Sequence, residues 1–221
     1  MSVLTGILYL SIVLFFFSLI TFKAPKGEAA MKGIAEAAIA TFLVEAILKY
    51  VMGDIFGIAA LGHIGSMVGS LSGLAAAILV SLFLGTDLIC SVAIGLGAIE
   101  FSILPGFVSA YLLHFVIDYL KKKFKSSAFA MFFVIFSVIA SYGLCLLINP
   151  AVSFIIKEIG TTVLAATNES PVVMGFILGG FINVISTSPL SSMALTAMLD
   201  LRGIPMGIAN VACFAGSFAN G

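Results

Sequence analysis

Apolar residues fall along this chain in runs whose lengths suit membrane crossings, and polar residues gather at the breaks between them. A transmembrane helix needs about 20 mostly apolar residues. Residues 4–22 make the first such run. It has no basic segment before it and no small-residue cleavage pattern, and lysines follow it, so it reads as a retained helix and not a cleaved signal peptide. The segment 23–32, with Lys23, Lys26 and Lys32, reads as a cytoplasmic loop because basic residues favour the inner side, which puts the N-terminus outside. An Ala-rich helix is expected over residues 33–51, with Glu36 and Glu45 inside it and a turn at Gly53-Asp54. A short apolar stretch, 55–61, then precedes His63. The next helix, 64–84, carries Gly65, Gly69 and Gly73 at four-residue spacing, a tandem GxxxG face that lets two backbones approach closely.

The run 88–120 is too long for one plain helix. Pro105-Gly106 predicts its division into 88–104 and 107–120, as two short crossings or one kinked helix. The cluster Lys121–Lys125 (KKKFK) is the strongest topology signal and is expected in the cytoplasm, with the Thr86-Asp87 loop on the same side. A further helix, 128–148, is expected to end outside at Asn149-Pro150. Residues 151–166 are amphipathic and predict a segment lying at the interface or capping a cavity.

The stretch 168–192, NESPVVMGFILGGFINVISTSPLSS, is closed at both ends by Ser-Pro steps and by clusters of Asn, Glu, Ser and Thr. Proline stops a helix, and in lipid a broken helix is tolerated only where it is buried in protein or lines a wet cavity. The stretch therefore predicts a re-entrant or discontinuous element of the kind that builds solute sites near the bilayer midplane. A run over 193–201 and a Gly-rich run over 204–219 follow. The expected fold is all-α: a single polytopic membrane domain over residues 1–221, with about seven or eight transmembrane helices and one broken-helix element.

Composition supports the membrane reading. The chain is 62% hydrophobic and 9% charged, with mean hydropathy +1.26, a balance foreign to soluble domains. Ten basic and ten acidic residues cancel, so nothing points to nucleic acid. There are 20 Phe and no Trp, which leaves the five Tyr and the lysines as interfacial anchors. Cys90, Cys145 and Cys213 lie in separate apolar runs and read as packing residues. No metal-ligand spacing, P-loop or dinucleotide fingerprint stands out, so no cofactor, metal or catalytic residue is expected in this chain.

A carboxylate inside a membrane helix is expensive and marks a functional candidate. Glu100, five residues before Pro105, is expected to bond a solute hydroxyl, to carry a proton, or to pair with a lysine or a freed backbone N–H. Glu169, beside Asn168 and Ser170, gives a carboxylate and amide grouping suited to sugar hydroxyls, or else a solvated loop acid. At the far end, Thr187, Ser188 and Ser191 either satisfy backbone groups freed by Pro189 or face a ligand, and Asn183 bonds across helices or to solute. Gly175 and Gly179 read as a tight packing face. His63 reads as a capping or interfacial residue. His114 and Asp118 share a helix face near Lys121 and read as an interfacial polar patch. Glu36 with Lys32 and Glu45 with Lys49 read as local pairs, Glu36 being the one placed to reach a cavity.

The block NESPVVMGFILGGFINVISTSPLSSMALTAML, followed by GIPMGIANVACFAGSFANG, resembles the membrane (EIIC) subunits of the sugar phosphotransferase system, most closely the type-2 EIIC-domain family. The stretch KAPKGEAAMKGIAEAAIATFLVEAI is similar to the same group. The resemblance implies a homodimeric, multi-pass protein of the bacterial inner membrane. It would carry a sugar or polyol inward for phosphorylation by a partner EIIB, supplied in turn by EIIA. Related subunits contact the sugar with a Glu and a His. Here Glu169 is the only acid in the matching block and no His lies near it. The chain is also short for that family, which implies further helices beyond Gly221. The rival expectations are an ion-coupled secondary transporter or channel without phosphotransfer, and a regulatory or packing subunit with no solute site.

Overall fold

The computed structural model describes residues 18–124 and 130–186, with the isolated positions 8, 15, 207, 208, 211 and 212. The chain divides into two compact units, Ala29–Val152, and Met1–Glu28 with Ser153–Gly221. All regular structure among the described residues is helical.

Residues 18–23 are helical, and after a turn at residues 24–26 helix α1 (Gly27–Ala38) starts within the segment expected as a loop. It passes directly into two π-helical stretches, Ile39–Leu43 and Ala46–Ile55. The hydroxyl of Thr41 donates to the Ala37 carbonyl at 2.7 Å, a side-chain bond of the kind that loosens the backbone ladder where a helix widens. The helix expected over 64–84 is two helices, α2 (Ala59–Ser70) and α3 (Ser72–Leu84), bent by 52° at Leu71. Gly85 closes α3 in the left-handed region, φ 98°, with its N–H on Leu82 O and the Thr86 N–H on Ser81 O, both at 2.9 Å. Asp87 then caps α4 (Leu88–Gly97) by accepting from the Cys90 N–H at 3.1 Å.

Pro105 does not divide the next run. The break lies upstream, at residues 98–102, and Pro105 is the third residue of α5 (Ile103–Lys123). A proline in the first helical turn removes an N–H that has no intrahelical partner there, so it starts this helix instead of ending one. Pro150 likewise ends nothing. Helix α6 runs from Ala130 to Glu169 through Pro150, so the expected stop at Asn149-Pro150 and the separate amphipathic segment 151–166 are both absent. A membrane helix accepts such a proline because neighbouring groups take up the freed carbonyl. Helix α7 (Pro171–Ser186) follows a one-residue break at Ser170.

Among the described residues two helices are long and apolar enough to cross a membrane, within Ile103–Lys123 and Met131–Phe154, and the bent pair α2–α3 makes a third. This is fewer than the seven or eight expected. The first apolar run and those after residue 186 fall largely outside the described residues, and the 33–51 run is interrupted by π-helix.

In Ala29–Val152 the core is built on small residues. Helix α3 lies between α4 and α5, and α2 lies on the second π-helical stretch. A Cβ on Gly33 would stand 2.6 Å from the Val80 Cα, and one on Gly53 2.7 Å from the Gly62 Cα. Buried hydroxyls bond to nearby carbonyls: Ser141 to Ile94 O at 2.7 Å and Ser109 to Gly106 O at 3.0 Å. In the other unit, Gly175 and Gly179 of α7 face Ile208 and Ala212 at ordinary contact distance, with no closer approach among the described residues.

Candidate functional site

Helix α4 has 10 residues, about 15 Å, which is half of a hydrocarbon core some 30 Å thick. It cannot cross, and its end at residues 98–102 falls level with the interior of its neighbours. Phe101 meets Tyr142 edge-on at 5.6 Å between centroids, and Tyr142 lies in the middle of the apolar span Met131–Phe154. Gly97 backs onto Val138 and Ser141, and the Cys145 thiol reaches Pro105 O at 3.5 Å.

A second discontinuity meets the first. The bend at Leu71 brings Gly73 against the carbonyls of Ala98 and Phe101, and the Gly73 backbone also abuts Gly106. Any side chain on Gly73 would strike main-chain atoms, which explains why the third glycine of the tandem GxxxG face is needed. Two broken helices therefore touch back to back at mid-span. Helix breaks at such a depth expose main-chain donors and acceptors that continuous helices hide. Ser102, in extended backbone at the start of α5, makes no capping bond with its side chain. Glu100 lies in the turn and is exposed in the isolated chain, so its carboxylate is available to whatever fills the space beside the break.

The other two glycines of the face serve a third irregularity. Gly65 approaches the Lys49 N, and Gly69 receives the side chain of Glu45. Glu45 sits between the two π-helical stretches and accepts from Lys49 Nζ at 3.2 Å, the local pair expected from the sequence. Its side chain is 19% exposed. Glu45 and the 98–101 turn thus lie against Gly69 and Gly73, on either side of the bend at Leu71. The sequence gives Glu45 only as half of a local i, i+4 pair with Lys49. The available signal was the placement of an acid and a lysine inside an apolar run long enough to span, where charges are costly.

The remaining expected residues divide by location. Asn168 and Glu169 end α6, Ser170 forms the break, and Asn183 lies in α7. The Ser-Pro step at Ser170-Pro171 therefore does interrupt the helix. Thr187, Ser188, Ser191 and the step at Pro189 lie outside the described residues. Glu36 is exposed on α1 and His63 on α2. His114 is 4% exposed and its Nδ1 lies 2.8 Å from Thr86 Oγ1, while Asp118 pairs with Lys122 at 2.7 Å. The i, i+4 spacing that suggested the patch holds, but α5 turns His114 toward the α3–α4 loop. Lys121 pairs with Asp87 of the same loop. Among the described residues no group of three or more His, Cys, Asp or Glu could hold a metal ion.

Searches of curated proteins and of solved structures returned no match. The family described as "Phosphotransferase system, EIIC" matches residues 28–220, which takes in both helix breaks, the Glu45 junction and the Ser170 step. With that match over most of its length, the chain belongs to the phosphotransferase system EIIC family and is a membrane permease subunit of that system.

Proposed function

We propose that this subunit binds a sugar or polyol within the bilayer and presents it to a cytoplasmic EIIB partner, which transfers to a sugar hydroxyl the phosphoryl group it has received from EIIA. Family membership over residues 28–220 carries this reading. The protein works as a homodimer in the bacterial plasma membrane. The sugar is held by hydrogen bonds from polar groups at helix breaks, where carboxylates accept from hydroxyls and amides both donate and accept. Glu100 is the residue of this kind at the α4–α5 break. Asn168, Glu169, Ser170 and Asn183, with the hydroxyls of Thr187, Ser188 and Ser191, serve in the same way around the Ser170 step. The partner docks at the end of α5 that carries Lys121, Lys122 and Lys123, whose charge suits a phosphorylated surface.

The test is thermal-shift titration of the purified protein with a panel of sugars and polyols, repeated on Glu100→Gln and Glu169→Gln. A saturable shift with one sugar, weakened in either variant, is the expected result. Stabilisation by Na⁺ or by a change of pH, with no response to any sugar, would favour ion-coupled transport instead.

A further inference from the structure

Glu45 and Lys49 form an ion pair inside an apolar run, with the Glu45 side chain resting on Gly69 of α2. Charges inside an apolar run are costly, and pairing offsets only part of that cost. The backbone around them is also irregular. Glu45 stands between two π-helical stretches, and π-turns inside α-helices concentrate at functional sites because they widen the helix and redirect side chains. Gly69 has no side chain, and the Glu45 carboxylate fills the space one would need: a Cβ there would stand 2.9 Å from Oε1 and closer still to its neighbours. The pair is not sealed off, since Lys49 keeps 35% and Glu45 19% of their side-chain surface exposed. Beyond the bend at Leu71, Gly73 meets the broken turn that carries Glu100.

We infer that Glu45 and Lys49 are solute-binding residues of the permease, a carboxylate acceptor and an ammonium donor that together hold two hydroxyls of a sugar or polyol beside the α4–α5 break. The inference rests on the sugar-permease reading above and adds to it a site on the first helices of the chain. An acceptor and a donor held 3.2 Å apart match the separation of vicinal hydroxyl oxygens, one of which donates to the carboxylate while the other accepts from the ammonium. Epimers that differ at one of those carbons lose one of the two bonds. The pair therefore sets specificity as well as affinity.

The test uses the full chain in detergent with D-glucose, D-galactose, D-mannose, D-fructose, D-mannitol and D-glucitol as probes. Wild type, Glu45→Gln, Glu45→Asp and Lys49→Met are compared for Kd and for the ranking of the probes. Losing a charge-assisted hydrogen bond should raise Kd roughly tenfold to a hundredfold for the best-bound probe, and the ranking of glucose against its epimers should change. Glu45→Asp keeps the charge but shortens the reach, so it reports on binding even if Glu45→Gln fails to fold. If Glu45→Asp and every other variant that folds keep the wild-type Kd and ranking, this inference falls and the permease reading stands. If affinity for all probes drops by one common factor with the ranking intact, the pair is structural and the inference falls. If the wild type binds none of the probes, the sugar reading and this inference fall together.

Discussion

Thr86 Oγ1 lies 2.8 Å from His114 Nδ1, and this bond joins the loop between α3 and α4 to the middle of α5. His114 is almost fully buried, so its ring depends on protein partners for its hydrogen bonds. Thr86→Val keeps the shape of the side chain and removes the hydroxyl. It should lower stability by about 1 to 2 kcal/mol, the cost of leaving a buried polar group short of one partner. Thermal unfolding of the purified variant, followed by fluorescence-detected size-exclusion chromatography, checks this. An unchanged unfolding midpoint would show that the loop is not held by this bond.

Asp87, next to Thr86, has two tasks that substitution can separate. It accepts from the Cys90 N–H as the N-cap of α4, and it pairs with Lys121. Asn caps a helix about as well as Asp but carries no charge. Asp87→Asn should therefore cost less than about 1 kcal/mol, because Lys121 is about a third and Asp87 nearly half exposed and solvent screens the pair. Asp87→Ala removes the cap as well and should cost about 1 kcal/mol more. Melting curves at low and high salt distinguish the two terms, since only the ion pair weakens with added salt.

The position of the break before α5 gives a third prediction. Pro105 sits in the first turn of α5, so it does not cause the interruption at residues 98–102. Pro105→Ala should leave the break in place and change stability by less than about 1 kcal/mol. A Glu100→Cys substitution in a background lacking Cys90, Cys145 and Cys213 should label with a water-soluble maleimide, and should do so equally with and without the Pro105→Ala change. Loss of labelling on replacing the proline would show that Pro105 makes the break after all.

The sequence made the membrane class plain, and the run lengths and hydroxyl clusters pointed to broken helices. Their positions were harder to read because proline has opposite meanings at different helix positions. Pro105 starts α5 and Pro150 is carried inside α6, whereas Pro171 does begin a helix after a break. The bend at Leu71 and the widening around Glu45 have no proline at all. There Gly65 and Gly69 let the 45–49 segment come close to α2, and Gly73 lets the 98–101 turn come close to α3. Spacing alone put His114 beside Asp118, but only the path of the α3–α4 loop decides that its partner is Thr86. Glu45 with Lys49 was legible as a pair, whereas its contact with Gly69 was not.

The two GxxxG motifs, alike in sequence, should respond oppositely to the same substitution. A methyl group on Gly73 would collide with main-chain carbonyl oxygen, the nearer one at Phe101 and that of Ala98 at 2.8 Å, and neither can swing aside as a side chain would. Relief requires α3 to move off the α4–α5 turn, so Gly73→Ala should cost at least about 1 to 3 kcal/mol, as overpacking of a close-packed core does. Among the described residues, the same methyl group on Gly175 would meet nothing nearer than Ile208 Cδ1 at 4.0 Å, and on Gly179 nothing nearer than Ala212 Cβ at 3.7 Å. Both are ordinary contacts, and alanine favours a helix over glycine by up to about 1 kcal/mol. Gly175→Ala and Gly179→Ala should therefore be neutral or slightly stabilising. Thermal unfolding of the three single variants in one detergent decides the matter. A loss of stability in Gly175→Ala equal to that in Gly73→Ala would mean that α7 is packed as tightly as α3.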